Sequence, residues 1–521
     1  MMNRRCALNA LLSPCLAPAI LSSEGTRPSI THGVQSGDVT SDSALVWVRA
    51  DRPSRMIIEV SNNESFAQIK QRIRGPHLLV GSDFTGRHVI ENLPARADVY
   101  YRVFLEDLSG RVLSESATGH FRTAPVGPAN IRFFWSGDMV GQGWGINLDK
   151  PGIPTFQAML DRQPDFFLHS GDTIYADSPL KPSITLKDGS IWRNLVTPAK
   201  SKVAESLDDF RGNYQYNLLD TNVKKFNAQI PQIWAWDDHE ICNNYHPALD
   251  LSNNASYREK SVDLLIANGT QAYLEYAPMR RNPVESQRIY RKIPYGPLMD
   301  LFVLDLRSYR GPNTYNRQEI EGPETAMMGA EQRAWLKREL VASTAVWKII
   351  ACDLPIGILV GDSRDSQRRM RYENQANGDG PALGRELEFA DLFQFLKSEN
   401  IRNHVWLTAD VHYTAAHRYD PAKAQFTDFE PFWEFVSGPL QAFPLNPAYM
   451  DNTFGIERVF AKGREETTSV LPENQFYGEV EIDSESTDLK VTLRDAANTA
   501  LFTQTVLRQR DRIDRALPKK A

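Results

Sequence analysis

Seven continuous apolar runs set the strongest limit on how this chain of 521 residues can fold. In chain order they are IRFFW, DFFLH, QIWAW, DLFVLDL, VWKIIAC, NHVWLTA and FWEFV. Runs this continuous are typical of strands that other layers cover on both faces. Residues 329–343 and 386–400, which lie between such runs, carry apolar residues near helical spacing. The pattern predicts an α/β fold, with a hairpin over the alternating residues 478–507 that closes a sheet.

A different pattern precedes these runs, because residues 30–125 alternate between apolar and polar positions in short stretches. Alternation punctuated by Gly, Asn and Asp favours antiparallel strands, so we predict an N-terminal β-sandwich of immunoglobulin or fibronectin III-like type. Residues 131–509 would form the larger domain, in which the polar and aromatic residues 178–225 are an insertion over the functional site. Residues 510–521 would be a charged C-terminal tail.

Residues 1–23 have the composition of an export signal. Arg4 and Arg5 precede a stretch of Ala, Leu and Ile that carries no charge before Glu24. The paired arginines predict a twin-arginine signal, although RRCAL matches the usual pattern only in part. The apolar part is shorter than the roughly 20 residues that span a bilayer. The sequence thus predicts a periplasmic or secreted protein; the alternative is an irregular N-terminus without a targeting role.

Composition argues against disorder and against a general nucleic-acid binder. Hydrophobic residues make up 41% of the chain and charged residues 24%, which is typical of globular proteins. The formal charge is −6 and no long stripe of Lys and Arg occurs, so no stable nucleic-acid complex is expected. No segment beyond residues 1–23 is apolar enough for a transmembrane anchor, and we predict a monomer.

Acidic and histidine side chains directly follow five of the apolar runs. In α/β sheets ligands gather beyond the carboxyl ends of the strands, so these side chains would converge on one crevice. A single aspartate there could equally be a turn residue or a helix cap. Five such ends are harder to explain in that way, because converging carboxylates repel one another unless cations neutralise them. The residues concerned are Asp138, Asp172, Tyr175, Asp237, Asp238, His239, Asp353, Asp410 and His412.

The residue types indicate which ions such a site would bind. Carboxylates with one or two imidazoles and no Cys pair suit Ca²⁺, Mg²⁺, Mn²⁺ or iron better than a structural zinc. A phenolate ligand from Tyr175 would need a strongly Lewis-acidic centre such as Fe³⁺, because a phenol has a pKa near 10. The alternative for Tyr175 is packing in the core.

The motifs GDMVGQGWG, GDTIYAD, WDDHE and ADVH occur in an order that resembles the calcineurin-like metallophosphoesterases. The details are similar to those of the PhoD-type alkaline phosphatases, which are relatives of the purple acid phosphatases. The resemblance covers most of the chain and includes HGVQSGDVTSDSALVWVRA, LDLRSYRG, NGDGPALGRELE and FVSGPL. It implies a four-layer α/β/β/α sandwich with two or more metal ions between the sheets.

The resemblance also implies a ligand set for two ions, of which the first would be ferric. The residues assigned to the first ion are Asp138, Asp172, Tyr175 and His412. Those assigned to the second ion are the bridging Asp172, together with Asp238, Asp410 and, as a weaker candidate, Asp353.

The sequence departs from the family pattern in three motifs. PhoD-type enzymes often have Cys at the position of Asp138. Purple acid phosphatases have Asp there, as this chain does. The motif GNHE appears here as DDHE, and GHxH appears as ADVH, so carboxylates replace two neutral ligands. The added negative charge favours Ca²⁺ or Mg²⁺ over Zn²⁺ at the second position. The expected cofactors are Fe³⁺ plus Ca²⁺, with Mg²⁺ or Mn²⁺ as alternatives to calcium.

The implied activity is hydrolysis of small phosphate esters, either monoesters or diesters. Two cations about 3.5 to 4 Å apart would share a water, lower its pKa and provide the hydroxide that attacks phosphorus. His239 would stabilise the transition state or protonate the leaving alkoxide, unless it only orients Asp238. Arg307 would clamp the phosphate, unless it is a structural partner. The alternative functions are a phospholipase D-like phosphodiesterase and a non-catalytic binding module.

Overall fold

The computed structural model describes residues 27–464 and 469–509. Two predictions lie outside this part of the chain, namely the export signal at residues 1–23 and the charged tail at residues 510–521. Within the described residues, no helix has both the length and the apolar composition needed to cross a membrane.

From residue 27 to residue 125 the chain forms antiparallel strands, as the alternating pattern predicts. These strands are β1 (Ile30–Gly37), β2 (Ala44–Ala50), β3 (Ser54–Ser61), β4 (Gln71–Leu78), β5 (Thr85–Ile90), β6 (Asp98–Asp107) and β7 (Ala117–Arg122).

Beyond residue 130, strands alternate with helices. The strands are β8 (Ile131–Ser136), β9 (Phe166–Ser170), β10 (Ser183–Thr185), β11 (Ile191–Arg193), β12 (Gln232–Ala235), β13 (Arg291–Tyr295), β14 (Met299–Val303), β15 (Trp347–Ala351), β16 (Gly361–Arg364), β17 (Met370–Tyr372), β18 (His404–Thr408), β19 (Thr414–Tyr419), β20 (Phe432–Val436), β21 (Ile456–Lys462), β22 (Phe476–Ile482), β23 (Leu489–Asp495) and β24 (Ala500–Val506). The helices are α1 (Pro154–Leu160), α2 (Leu207–Asn217), α3 (Thr221–Gln229), α4 (Val262–Tyr276), α5 (Ala330–Ala342) and α6 (Glu386–Ser398).

Two large sheets lie face to face and form the middle layers. The first has the strand order β24-β23-β22-β8-β9-β12-β1-β2-β5, and the second has the order β13-β14-β15-β18-β20-β19-β21. Side chains from both sheets share one core, including Phe133 and Leu168 from the first sheet and Ile349 and Val405 from the second. The apolar runs of the sequence therefore form strands that are buried on both faces.

Helices cover the outer faces and complete the four layers. Phe156 of α1 and Phe210 of α2 belong to the core outside the first sheet. Leu336 of α5 and Phe393 of α6 belong to the core outside the second sheet. The α5 and α6 helices confirm the two helices predicted from apolar spacing, and the four-layer α/β/β/α fold class is confirmed.

The N-terminal sandwich shares a sheet with the larger part of the chain. Its outer sheet has the order β4-β3-β6-β7, and β1, β2 and β5 lie opposite with a common apolar core. Because β1 pairs in parallel with β12, at Gly37 and Gln232, these three strands continue the nine-stranded sheet. The sequence predicted the sandwich but not this continuation, since alternation along a strand does not identify the neighbour at its edge.

The structure shows the form of two further segments. The alternating residues 478–507 contribute to a three-stranded meander, β22 to β24, at the edge of the first sheet rather than to a hairpin. Residues 178–225 contain the β10–β11 pair and the helix α2, and Phe210 and Tyr214 of α2 are buried in the outer core. This segment therefore supplies core residues as well as polar ones.

Candidate metal centre

The ends of three strands bring predicted ligands together. Asp138, Asp172 and Asp410 each lie two residues beyond a strand, β8, β9 and β18 respectively. The first two strands are neighbours in one sheet, and β18 lies in the facing sheet. These aspartates have left-handed backbone angles, with φ of 65°, 50° and 64°, and His412 follows with 54°. Residues of this conformation allow a tight turn directly after a strand, so the aspartates are turn residues as well as candidate ligands.

Candidate ligand atoms form three groups among the described residues. Within each group the atoms lie within 4.8 Å of one another. Asp172 belongs to the first two groups and Asp238 to the last two, so the groups are continuous. The groups are Asp138, Asp172 and His412; Asp172, Asp238 and His239; and Asp237, Asp238 and Asp410.

His412 is held in the form that binds metals. Its Nδ1 lies 2.8 Å from the carbonyl oxygen of Phe443. A carbonyl can only accept, so Nδ1 carries the proton and Nε2 keeps its lone pair. Nε2 lies 2.8 Å from the Tyr175 hydroxyl and 3.5 Å from Asp138 Oδ1. Burial lowers the pKa of His412 to about 4, which keeps the ring neutral and available as a ligand.

The Asp138 carboxylate is the clearest sign that a cation belongs here. Its side chain is completely buried, and neither oxygen has a hydrogen-bond partner in the described part of the chain. Burial, followed by the charge of Asp238, raises the pKa of Asp138 well above its usual range. An unpartnered buried carboxylate is costly unless a positive charge neutralises it. Gly438 provides the room, because a Cβ there would lie 2.1 Å from Asp138 Oδ2.

Asp172 and Tyr175 are similarly enclosed. Asp172 Oδ1 accepts a hydrogen bond from the backbone N–H of His239 at 3.2 Å. Burial is the main cause that raises the pKa of both the Asp172 carboxyl and the Tyr175 hydroxyl well above their ordinary values. A bound cation would oppose both shifts, since it favours the charged form of each group.

A histidine–aspartate pair lies beside the second group. Nδ1 of His239 and Oδ1 of Asp177 are 2.6 Å apart, and Asp177 Oδ2 accepts from the backbone N–H of Asn243 at 2.8 Å. The His239 ring packs on Tyr175, with ring centroids 4.2 Å apart. Asp177 thus fixes the ring through Nδ1 and leaves Nε2 for other contacts. Asp177 is part of the motif GDTIYAD, but no sequence signal linked it to His239.

Arg307 lies inside an enclosure of carboxylates and is fully buried. Its Nε donates to Asp353 Oδ2 at 2.7 Å, and its Nη2 donates to Asp410 Oδ1 at 3.1 Å. It also forms ion pairs with Asp237 and Glu373. This arrangement does not fit the predicted phosphate clamp, because carboxylates engage all three guanidinium nitrogens and leave no face for a substrate.

The structure places Asp353 and Asp237 differently from the sequence prediction. Asp353, the weaker candidate for the second ion, belongs to none of the three groups among the described residues and pairs with Arg307. Asp237, which had been assigned to no ion, lies in the third group. Burial, opposed by the charge of Arg307, raises the pKa of Asp237 well above its usual range.

Glu240 is a further residue that the sequence did not single out. Its Oε1 accepts from the backbone N–H and the hydroxyl of Thr173, at 2.5 and 2.6 Å. Its Oε2 accepts from the backbone N–H of Asp237 at 2.9 Å. Glu240 therefore links the turn after β9 to the turn after β12. The motif DDHE contains it, but the motif alone does not distinguish a ligand from such a link.

The composition of the centre suits hard metal ions. The three groups contain five aspartates and two histidines, and no thiolate. So many buried carboxylates need more positive charge than one arginine supplies. Oxygen ligands with a few imidazoles fit iron, calcium, magnesium or manganese.

The two facing sheets, with carboxylates at their strand ends, have the fold of the metallophosphoesterase class. A solved structure of PhoD matches with a TM-score of 0.68 and 22% identity, covering 92% of this chain and 89% of that one. The purple acid phosphatase PPD1 from yellow lupin (Lupinus luteus) matches with a TM-score of 0.53 and 12% identity, covering 95% of this chain and 77% of that one. Both likenesses concern the fold.

Within that class, the sequence identifies a family. The model of the PhoD-like phosphatases matches residues 133–493, and the model of their N-terminal domain matches residues 15–125. The chain belongs to the PhoD-like phosphatase family. It is similar to an alkaline phosphatase D of Bacillus subtilis (strain 168), with 28% identity over 415 residues and 73% of this chain. The match spans 64% of that relative's length.

Proposed function

We propose that the protein is a metal-dependent phosphoric ester hydrolase that converts monoesters to phosphate, diesters to monoesters, or both. The observation that carries this proposal is the continuous set of three ligand groups, linked by Asp172 and Asp238, at the ends of strands from two sheets. Membership of the PhoD-like phosphatase family supports it. We further propose that the protein acts as a monomer on small phosphate esters.

The ligand assignment follows the three groups. Oxygen and imidazole ligands beside a phenol support Fe³⁺ at the first position, and the aspartate-rich second position supports Ca²⁺, with Mg²⁺ or Mn²⁺ as alternatives. Asp172 would bridge the two. The residues proposed for the first ion are Asp138, Asp172, Tyr175 and His412. Those proposed for the second ion are Asp172, Asp238 and Asp410, with Asp237 in place of Asp353.

The ions would supply a nucleophilic water of lowered pKa and would stabilise charge on the phosphoryl oxygens. The chain's own contribution is to place groups around that chemistry. Asp177 holds His239 by Nδ1, so His239 Nε2 is the proposed proton donor to the leaving alkoxide. Arg307 offsets the charge of Asp353 and Asp410 without contacting the substrate.

We propose export to the periplasm or beyond the cell for the mature protein. The support is the sequence of residues 1–23, in which two arginines precede an apolar stretch. Removal of these residues during secretion, detected by mass spectrometry of the exported protein, is the expected result. An intact N-terminus on protein that stays in the cytoplasm would contradict it.

Metal analysis combined with two ester substrates tests the proposed activity. We expect iron and calcium in the native protein, and turnover of p-nitrophenyl phosphate or bis-p-nitrophenyl phosphate that chelation abolishes. Asp172→Asn should lower kcat by about 100-fold or more, because it removes the bridging charge. Asp161→Asn, at the exposed end of α1, is the matched control and should keep full activity. A metal-free protein inert towards both esters would instead support a binding module.

The identity of the first ion has a spectroscopic test. If Tyr175 binds Fe³⁺ as a phenolate, the purified protein should be coloured, and Tyr175→Phe should remove the visible absorption band. Tyr216→Phe, whose hydroxyl donates to the Leu195 carbonyl away from the three groups, is the control and should keep the band. An unchanged spectrum in Tyr175→Phe would show that this tyrosine is not a ligand.

A further inference from the structure

A groove of about 990 Å³ opens beside the candidate metal centre. The β16–β17 hairpin forms one wall, and residues 312–318 form the other. Asn244 connects the groove to the centre, because its backbone N–H bonds to Asp238 and its side chain donates to Asp362 Oδ1 at 2.5 Å. Asp362 lines the groove. One residue, Asn244, therefore separates the groove from Asp238 of the candidate metal centre.

Guanidinium groups line the groove around an aromatic ring. Arg369 and Arg317 lie over the ring of Tyr315, with their Cζ atoms 4.8 and 5.6 Å from its centroid. Such stacking holds a guanidinium in place while its edge keeps N–H donors, although Arg317 Nη2 already donates to the carbonyl oxygen of Asn377 at 3.1 Å. Arg371 lies in the same groove, and its side chain makes no hydrogen bond or ion pair with the described residues.

The four acidic side chains in the groove have other hydrogen-bond partners, and none of them forms an ion pair with Arg371 among the described residues. Asp365 accepts from Arg369 Nε at 2.7 Å and from two backbone N–H groups. Asp362 accepts from Asn244 and from Ser363. The two remaining acids are also engaged, Asp250 by Ser252 and Glu324 by Gln318.

The floor of the groove keeps unpartnered nitrogen atoms. Asn313 lines the groove and is 6% exposed. Its Oδ1 accepts from Arg310 and Arg385 at 2.7 and 3.1 Å, which fixes the amide and leaves Nδ2 unpartnered. His246, also 6% exposed, lines the groove with an unpartnered Nδ1. Buried polar nitrogen atoms without partners are expected to bind a ligand or water.

We propose that this groove binds a second phosphate group carried by the substrate, with Arg371 and Arg369 as its main contacts. Guanidinium groups are suited to this because their paired N–H donors match phosphate oxygens. The inference rests on the proposed function, since it makes phosphate esters with a second anionic group the favoured substrates.

Binding of uncleavable phosphonates tests the proposal. α,ω-Alkane bisphosphonates with linkers of three to eight carbons are compared with alkylphosphonates of equal length, by isothermal titration calorimetry on the metal-loaded full-length protein. We expect one linker length to bind about tenfold more tightly than its monophosphonate, and Arg371→Gln to remove that preference. Arg369→Gln is a second variant and should reduce it.

Arg368→Gln is the matched control, because Arg368 lies in the same hairpin but does not line the groove. It should leave the preference unchanged. Equal affinity for both ligand types, or equal losses in Arg371→Gln and Arg368→Gln, would overturn the proposal. A bisphosphonate preference in a protein that hydrolyses no ester would reject the proposed hydrolase while leaving the groove intact. Hydrolysis of esters without a bisphosphonate preference would reject the proposed phosphate site in the groove while leaving the proposed hydrolase intact.

Discussion

At the scale of single residues, backbone strain coincides with the candidate ligands. Asp138, Asp172, Asp410 and His412 hold left-handed conformations, each of which costs about 1 kcal/mol or more. Aspartate accepts this conformation more readily than most residues. Strain of this kind persists only where the surrounding structure fixes it. At these four positions, the turns that follow the strands fix the backbone that carries the ligand atoms.

Gly438→Ala tests how closely the Asp138 carboxylate is confined. The added Cβ would lie 2.1 Å from Asp138 Oδ2, so we expect the carboxylate to move and most of the first ion to be lost. Elemental analysis measures the loss, with circular dichroism to confirm folding. Gly127→Ala is the control, because a Cβ there meets no atom within 4 Å. Full metal content in Gly438→Ala would argue against Asp138 as a ligand.

Asp177→Asn tests the positioning of His239. The amide removes the charged partner of Nδ1, so we expect kcat to fall about 10- to 100-fold with little change in KM or metal content. Steady-state kinetics over a pH series, alongside elemental analysis, separates this effect from metal loss. Asp188→Asn, which changes an exposed loop residue that accepts hydrogen bonds from Ser190, is the control. An unaltered kcat in Asp177→Asn would remove His239 from the proposed mechanism.

At the scale of elements, the pairing of β1 with β12 joins the N-terminal sandwich to the rest of the chain. The two strands meet at Gly37 and Gln232, and a Cβ on Gly37 would lie 2.1 Å from the carbonyl oxygen of Pro278. The joint is therefore built on a close backbone approach that only glycine allows.

Gly37→Ala should lower the free energy of unfolding by about 1 to 3 kcal/mol, because backbone atoms must shift to admit the methyl group. Urea denaturation measures the change. Gly322→Ala, where a Cβ meets nothing within 4 Å, should stay within about 0.5 kcal/mol of the native protein. Equal stability of both variants would mean that the backbone at the β1–β12 pairing can shift without lowering the free energy of unfolding.

The strands and the turns that follow them show which features could be predicted from the sequence. The apolar runs predicted the strands, and the aspartates directly after them predicted the ligands. Both predictions use residues that are close together in the sequence. Asp177, Glu240 and the enclosure of Arg307 were not predicted, because each depends on side chains from turns that only the folded sheets bring together. The neighbour of β1 was missed for the same reason.

At the scale of the whole molecule, buried neutral histidines make stability depend on pH. Burial lowers the pKa of His169 to about 3, that of His246 to about 3 and that of His32 to about 4. In the unfolded chain these histidines have the ordinary pKa of about 6.5. Below this pH the unfolded chain therefore holds more protons than the folded chain. Stability therefore falls as the pH drops from about 6.5 towards 4, by about 1.4 kcal/mol per pH unit for each such histidine.

His169→Asn isolates one of these contributions. Between pH 6 and pH 5, the variant should lose about 1 kcal/mol less stability per pH unit than the native protein, whatever its stability at pH 7. Denaturant titrations at each pH give the slope. Asn62→Ala, which changes an exposed residue without a titratable group, should leave the slope unaltered. Equal slopes in the native protein and His169→Asn would mean that His169 takes up its proton without unfolding.

The first sheet has a consequence for biosynthesis. Its inner strand β8 pairs with β22, so Phe133 lies opposite Val480, which is made about 350 residues later. Contacts of such long range slow folding, and an incomplete sheet exposes unpaired edges. The ribosome therefore releases nearly the entire polypeptide before this layer can close, and chaperone protection of the nascent chain would matter most during that interval.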